Sequence, residues 1–381
     1  FFCCSFFFFF GLFSLSLPVV DLKHCKLQPE ERMAHAAVIL WMLSAVVCVG
    51  KGQQGTEHVQ DTNVDSSNDD SVSLVTSANQ DFAFSLYQNL AALTDFQGKN
   101  IFYSPTSVSL ALAALAVGAR GETHRQLFST LGFNSSQLTQ AEVDQAFRRL
   151  LTKQPFDKEV SEGTAVFVDD DFKPKPEFLD VLKQSYSAEG FNVDFSNTTD
   201  SANTINKFVA DKTKGKIDKL VGDLDPSTVM YLISFIYYKG TEVTSDDVVG
   251  SVFLLNVKIG FQVPVQMMNV EEYFDVYYDQ AINTTVLQLT FNSSYSMLLL
   301  LPGDMATLEQ AISPAHVAKW LKWKKSRKYD VYVPKFSIKT SYKLKDVLAE
   351  MGVTDVFGNG ANLSGIAEDA RLKVSEVTRR S

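Results

Sequence analysis

Hydrophobic positions change their period along this chain, and each change marks a boundary. Ala36 to Val49 (AAVILWMLSAVVCV) is a 14-residue apolar run closing on Gly50. A bilayer span takes about 20 residues, so the run is too short to cross one. Behind the first methionine, Met33, it matches the apolar region of a secretory leader. Residues 33–50 are therefore read as a signal peptide, and the protein is expected to be secreted and extracellular, with no membrane partner. Residues 1–32 hold Phe1-Phe2-Cys3-Cys4-Ser5 and the run Phe6 to Phe10. Such low complexity is read as translated upstream sequence outside the fold. Gln53 to Ser77 is polar and acidic, so residues 51–77 are read as a disordered arm.

From Asn79 the pattern becomes helical, with Phe82, Phe84, Leu86, Tyr87, Leu90 and Leu93 recurring at mostly helical spacing, which predicts an amphipathic first helix. Ile101-Phe102-Tyr103 predicts a short strand, and Ser104-Pro105 supplies an N-cap followed by proline at the first helical position. Val108 to Val117 is apolar on nearly all sides, which predicts a central, buried helix. Amphipathic helices follow at Glu122 to Leu131 and Ala141 to Leu151. Arg148, Arg149 and Lys153 on the latter are read as a solvated face. Thr164 to Val168 predicts a strand, Pro176 to Tyr186 a helix, Phe191 to Phe195 a strand and Ala202 to Lys214 a helix. Met230 to Tyr238 is a continuous apolar run of strand length, which predicts a strand covered on both faces. Val286 to Phe291 and Ser296 to Leu301 form a hairpin around Asn292-Ser293-Ser294. Helices at Leu308 to Ile312 and Pro314 to Trp323, a strand at Val331 to Ile338 and a helix at Leu344 to Met351 complete the order. Helix-rich first and strand-rich later, without βαβ alternation or an internal repeat, this is α+β.

Composition narrows the chemistry. The 381 residues are 45% hydrophobic and 21% charged, which is globular. A formal net charge of −9 argues against a nucleic-acid partner. All four cysteines, Cys3, Cys4, Cys25 and Cys48, precede Val49. The body therefore has no thiol for a metal, a nucleophile or a disulfide. His58 lies in the arm, and His124 and His316 have no histidine partner at metal-ligand spacing. No P-loop, G-x-G-x-x-G or G-x-S-x-G occurs. No enzyme activity, cofactor or metal is expected. Five N-x-Ser/Thr sequons, at Asn134, Asn197, Asn283, Asn292 and Asn362, are glycan candidates behind a leader. Asn134 after a helix and Asn292 in the hairpin turn are expected to be exposed. Asn362 ranks last because Leu363 and Ile366 flank it.

Several stretches together resemble the serpin family, near its antitrypsin branch. They are Asn100 to Ser109 (NIFYSPTSVS), Leu115 to Thr123 (LAVGARGET), Lys214 to Ile217, Ile236 to Gly240 (IYYKG), Val263 to Met268 (VPVQMM), Val333 to Phe336 (VPKF) and Leu348 to Phe357 (LAEMGVTDVF). The resemblance runs in order from about Ala78 to Ser375. It implies the serpin fold, of three sheets and about nine helices, in one domain over residues 78–381. It also implies a suicide-substrate inhibitor. A serine protease acylates itself on an exposed bait loop, and the cut loop inserts as a new strand into a central sheet, trapping the covalent complex. The shutter region where that sheet opens matches Ser104 and Ser107. At a further position, where the family usually has asparagine, this chain has Ser234.

Two departures stand out. Thr241 to Phe261 replaces the family pattern, so residues 241–262 are read as a non-family segment. After Ser375 the chain continues as Glu376 to Ser381, and the family's reactive loop and last barrel strands have no counterpart. The resemblance thus implies a C-terminally truncated serpin with its reactive bond absent. It is expected not to inhibit and to self-associate through unpaired strand edges. The alternatives are a non-inhibitory carrier of a small lipophilic ligand, or a truncated product with a separate interaction role.

Overall fold

The computed structural model describes residues 6–12, 37–39, 43–49, 65–93, 101–152, 160–222, 224–238, 251–258, 261–290, 296–334, 341–368, 372–374 and 378–380. Its helices are α1 (Asp65–Ala92), α2 (Pro105–Gly118), α3 (Gly121–Thr130), α4 (Gln140–Thr152), α5 (Pro176–Ser185), α6 (Thr198–Lys212), α7 (Met305–Ala311), α8 (Pro314–Trp323) and α9 (Lys345–Glu350). Its strands are β1 (Phe6–Leu12), β2 (Ala37–Ile39), β3 (Leu43–Val49), β4 (Ile101–Tyr103), β5 (Val160–Asp169), β6 (Ala188–Val193), β7 (Met230–Tyr238), β8 (Ser251–Lys258), β9 (Phe261–Asp279), β10 (Thr284–Thr290), β11 (Ser296–Pro302), β12 (Lys325–Pro334), β13 (Ser341–Lys343) and β14 (Thr378–Arg380).

The strands form three sheets. The largest runs β2-β12-β9-β10-β11-β3-β1-β4, with β8 paired to β9. A second runs β6-β5-β7, and β13 pairs with β14. The predicted hairpin is present as antiparallel β10 and β11, while its turn, with Asn292, lies outside the described residues. Strand β7 has its two faces in different cores, as its unbroken apolar run predicts. Met230 and Leu232 pack on the main core with Val166 and Val168 of β5. Tyr231 and Ile233 pack on a second core with Ala165 and Phe167, under α6.

Helix α2 is the centre of the main core, and eleven of its fourteen residues are buried. Its end depends on a glycine, since a Cβ at Gly118 would lie 2.2 Å from Ile366 Cγ1. Ridges elsewhere are aromatic: Phe128, Phe133, Phe147 and Tyr186 form a chain of ring contacts joining α3, α4 and α5.

The structure departs from the sequence reading at the N-terminal side. Helix α1 starts at Asp65, so residues 65–77 are helical rather than part of a disordered arm. Val72 and Val75 are buried and extend the apolar face that continues through Phe82 and Leu86. Asp65, Asp69 and Asp70 fall in the first two turns, where the positive end of the helix dipole favours carboxylates. Residues 51–64 lie outside the described residues. Phe6–Leu12, read as outside the fold, pairs with β3 and β4, and the apolar Leu43–Val49 is a strand paired with β11. Phenylalanine and valine favour strands, and β11 and β4 offer edges to pair with. Strand boundaries shift as well. Strand β6 begins at Ala188 and β12 at Lys325, earlier than side-chain alternation alone suggests. The non-family segment contributes β8, which forms an antiparallel arm on β9, and residues 239–250 are outside the described ones. Thr378–Arg380 of the tail pairs with Ser341–Lys343.

Candidate functional site: the entrance of helix α2 and the edge of strand β7

The chain leaves β4 in extended conformation and enters α2 through Ser104, whose φ of −107° and ψ of 106° are those of an N-cap. Its Oγ accepts hydrogen bonds from the Ser107 backbone N–H at 3.3 Å and from Ser107 Oγ at 3.1 Å. Pro105 follows, where a missing N–H costs nothing. Ser104 and Ser107, singled out in the sequence, are thus brought together, and both are buried. Ser109, which sequence reasoning passed over, is also buried and donates to Asn79 Oδ1 of α1 at 2.5 Å. Three hydroxyls therefore fix the start of a helix that is apolar from Leu110 onward, and α2 packs against β7.

Strand β7 pairs antiparallel with β5, from Val160 opposite Tyr238 to Val168 opposite Met230. Among the described residues its other edge has no strand partner. Thr164 sits opposite both Ser234 of β7 and Ala188 of β6. Its side chain is buried, and Oγ1 has no hydrogen-bond partner among the described residues. Thr164 was not singled out from the sequence, because a threonine opening an apolar strand is ordinary until the register places it inside. The side chain of Ser234 lies outside the described residues.

The ionisable groups serve structure. Tyr186 Oη donates to buried Asp144 Oδ1 at 2.6 Å, Gln140 Nε2 donates to the same oxygen at 2.7 Å, and Gln140 Oε1 meets His124 Nε2 at 2.9 Å. Burial pushes the Asp144 carboxyl up, against the pull of Tyr186 and Gln140. Burial also holds the Tyr186 phenol well above its ordinary value. At the other pole Asp279 is fully buried. It accepts from Lys319 Nζ and Trp320 Nε1, both at 2.8 Å, tying β9 to α8. Burial alone would raise its pKa, but the two donors and the lysine charge hold it below the usual carboxylate value. His316 Nδ1 meets Ser313 Oγ at 2.9 Å. No group of three metal-ligating side chains occurs among the described residues. A cavity of about 1030 Å³ opens beside the end of α2, between Val117, Arg120, Phe172, Phe178 and Glu368. Lys175 and Glu368, an ion pair at 3.1 Å, are among its lining residues.

Comparison with known proteins gives this architecture its kinship. The serpin (serine protease inhibitor) family profile matches residues 77–381. The chain belongs to the serpin family. Plasma serine protease inhibitor of Mus musculus is 35% identical over 312 residues, spanning 80% of this chain and 76% of that protein. Thyroxine-binding globulin of Sus scrofa is 37% identical over 316 residues, spanning 81% and 76%. The solved structure of reactive-loop-cleaved human thyroxine-binding globulin is 34% identical, with a TM-score of 0.75 over 81% of this chain and 93% of that one. Serpin relatives thus include a protease inhibitor and a thyroxine-binding protein, and this serpin is not a catalytic enzyme.

On the serpin's surface the sequons differ in geometry. Asn134, Asn197, Asn283 and Asn362 are all exposed, and at Asn134 and Asn362 the Oδ1 accepts from the N–H and hydroxyl of the serine two residues on. Asn362 is therefore as open as Asn134, although Leu363 and Ile366 beside it are buried. Asn197 caps α6, with Oδ1 accepting from the Asp200 N–H at 3.3 Å and Nδ2 donating to Asp200 Oδ2 at 2.6 Å. Asn283 has a φ of 46°, its Oδ1 accepts from Tyr278 Oη at 2.8 Å, and its amide lies against Gly303. Lys153 and His58 lie outside the described residues.

Proposed function

We propose that this serpin belongs to the protease-trapping machinery, with β7 as the edge that receives an inserted strand. The observation that carries the reading is that edge. A nine-residue strand, whose Met230 to Ile233 pack alternately on two cores and which is backed by the capped start of α2, pairs with β5 alone among the described residues. Inserting a strand there would convert unpaired backbone groups into a ladder, and that gain drives the trap. Ser104 and Ser107 are proposed to hold α2 while the sheet opens above it. The partner is a serine protease, captured covalently. Secretion and N-glycosylation, first at Asn134 and Asn362, complete the reading.

The family's bait loop has no counterpart in residues 1–381, so that polypeptide alone is expected to give no adduct. Mixing the native protein and the 1–381 polypeptide with trypsin, chymotrypsin and elastase tests both statements on a denaturing gel. An SDS-stable adduct from the native protein alone is expected. An adduct from 1–381 would overturn the placement of the bait. A second reading, a carrier of a lipophilic ligand, is favoured by the 37% identity to thyroxine-binding globulin. Native protein that forms no adduct but gains thermal stability with thyroxine would establish it instead.

A further inference from the structure

Strand β9 carries three tyrosines in an acidic run, Val270 to Asp279 (VEEYFDVYYD). Glu271 and Glu272 stand immediately before Tyr273, and Asp275 follows two positions after it. From Met268 to Tyr278 there is no lysine or arginine. The structure separates the three phenols. Tyr277 packs against the main core, with Lys319 Nζ 5.7 Å from its ring centroid. Tyr278 is exposed, but its hydroxyl donates to Asn283 Oδ1 at 2.8 Å. Tyr273 is 67% exposed, more than any other large apolar side chain among the described residues, and its hydroxyl has no partner among them.

The backbone around Tyr273 is accessible too. Strand β8 pairs with β9 only as far as Met267, and β10 only from Asp275 onward. Among the described residues, 268–274 are therefore paired on one side alone, with β12. An extended segment with an open edge is the form in which a groove takes up a peptide by strand addition. Glu271, Tyr273 and Asp275 alternate onto one face of the strand. Glu271 pairs with Lys328 at 3.1 Å, and both side chains are more than half exposed. Such a pair is weak, so a basic groove can compete for the carboxylate. Lys324 holds Asp275 at 2.9 Å and keeps it beside the phenol's face.

We propose that Tyr273 is a tyrosine O-sulfation site. The proposal rests on the secretion reading, because a secreted chain meets a tyrosine sulfotransferase on its way out. Such an enzyme holds a polyanionic donor, the sulfate–phosphate mixed anhydride of a nucleotide, so its groove is cationic and draws a phenol flanked by carboxylates. The Tyr273 phenolic oxygen attacks the donor sulfur. An O–S bond forms, the anhydride S–O bond breaks, and the electron pair leaves on the nucleotide phosphate. The phenolic proton passes to a base of the transferase, and nothing is oxidised or reduced. The ester is a fixed anion, and Lys328, directly opposite Tyr273 in the register, is the cation at hand to pair with it.

Two experiments test it. Protein made in cultured animal cells is digested, and its peptides are read by mass spectrometry under conditions that preserve sulfate esters. One sulfuryl group on Tyr273, resistant to phosphatase, is expected, with Tyr277 and Tyr278 unmodified and a glycan on Asn134 marking passage through the secretory route. Glycosylated protein with no sulfate on Tyr273, or with a phosphatase-sensitive group there, overturns the proposal. In the second experiment, folded protein from chlorate-treated cells, which make no activated donor, is incubated with purified tyrosine sulfotransferase and labelled donor. Label is expected on Tyr273 and is lost in Tyr273→Phe. No label, or equal label on the variant, overturns the proposal. A chain that carries no glycan contradicts the secretion reading instead, and label on Tyr273 in the purified reaction then supports the site by itself.

Discussion

Thr164 carries a buried hydroxyl with no partner among the described residues. Desolvating such a group costs about 1–3 kcal/mol, so Thr164→Val, which keeps the shape, is expected to be neutral or stabilising by up to about 2 kcal/mol in urea unfolding. A loss above about 1 kcal/mol would show that the hydroxyl is satisfied after all. Asp279 is the opposite case, a buried carboxylate held by Lys319 and Trp320. Asp279→Ala leaves the buried Trp320 N–H without its acceptor, while the partly exposed Lys319 turns to water, and a loss of about 1–3 kcal/mol is expected. Because its folded pKa lies below the unfolded value, its contribution is complete above the unfolded pKa of about 3.9 and fades as pH falls through the folded one. The variant should lose that acid-side slope, which denaturant melts from pH 2 to pH 7 would show. Neither role was legible in the sequence, since each depends on a partner brought from another element.

Helix α2 was legible almost completely. Ser104-Pro105 fixed its start, and apolar residues on every side fixed its burial. Ser104→Ala removes the cap and leaves Ser107 Oγ without its buried acceptor, so a loss of about 1–2 kcal/mol is expected. Gly118→Ala drives a methyl against Ile366 and is expected to cost about 1–3 kcal/mol in thermal or urea unfolding. An unchanged midpoint would mean that the segment around Ile366 yields freely. Helix α1 was only half legible. Its first turns are Ser-, Asn- and Asp-rich, a composition typical of disorder, yet Val72 and Val75 are enough to dock them. Strand β6 was misplaced by a few residues because Glu189 and Gly190 break its apolar alternation, while pairing with β5 supplies what alternation lacks.

At the scale of the molecule, two cores meet across β5 and β7, and the open side of β7 gives the serpin its proposed receiving edge. Sequons make a prediction at the same scale. Enzymatic deglycosylation of the secreted protein, followed by mass spectrometry, is expected to find Asn134 and Asn362 occupied and Asn283 empty, since the Asn283 amide lies against Gly303. Occupied Asn283 would contradict that packing. The sequence by itself determined the α+β class, the buried helix, the doubly covered strand, the hairpin and the family, because each is written in local period, capping residues or contiguous motifs. Only the tertiary structure decided that residues 65–77 of the acidic arm become helix, that Thr164 is stranded inside, and that N-terminal strands stand between β11 and β4. Those outcomes depend on which surfaces and edges meet, and residues far apart in the chain carry no local mark of meeting.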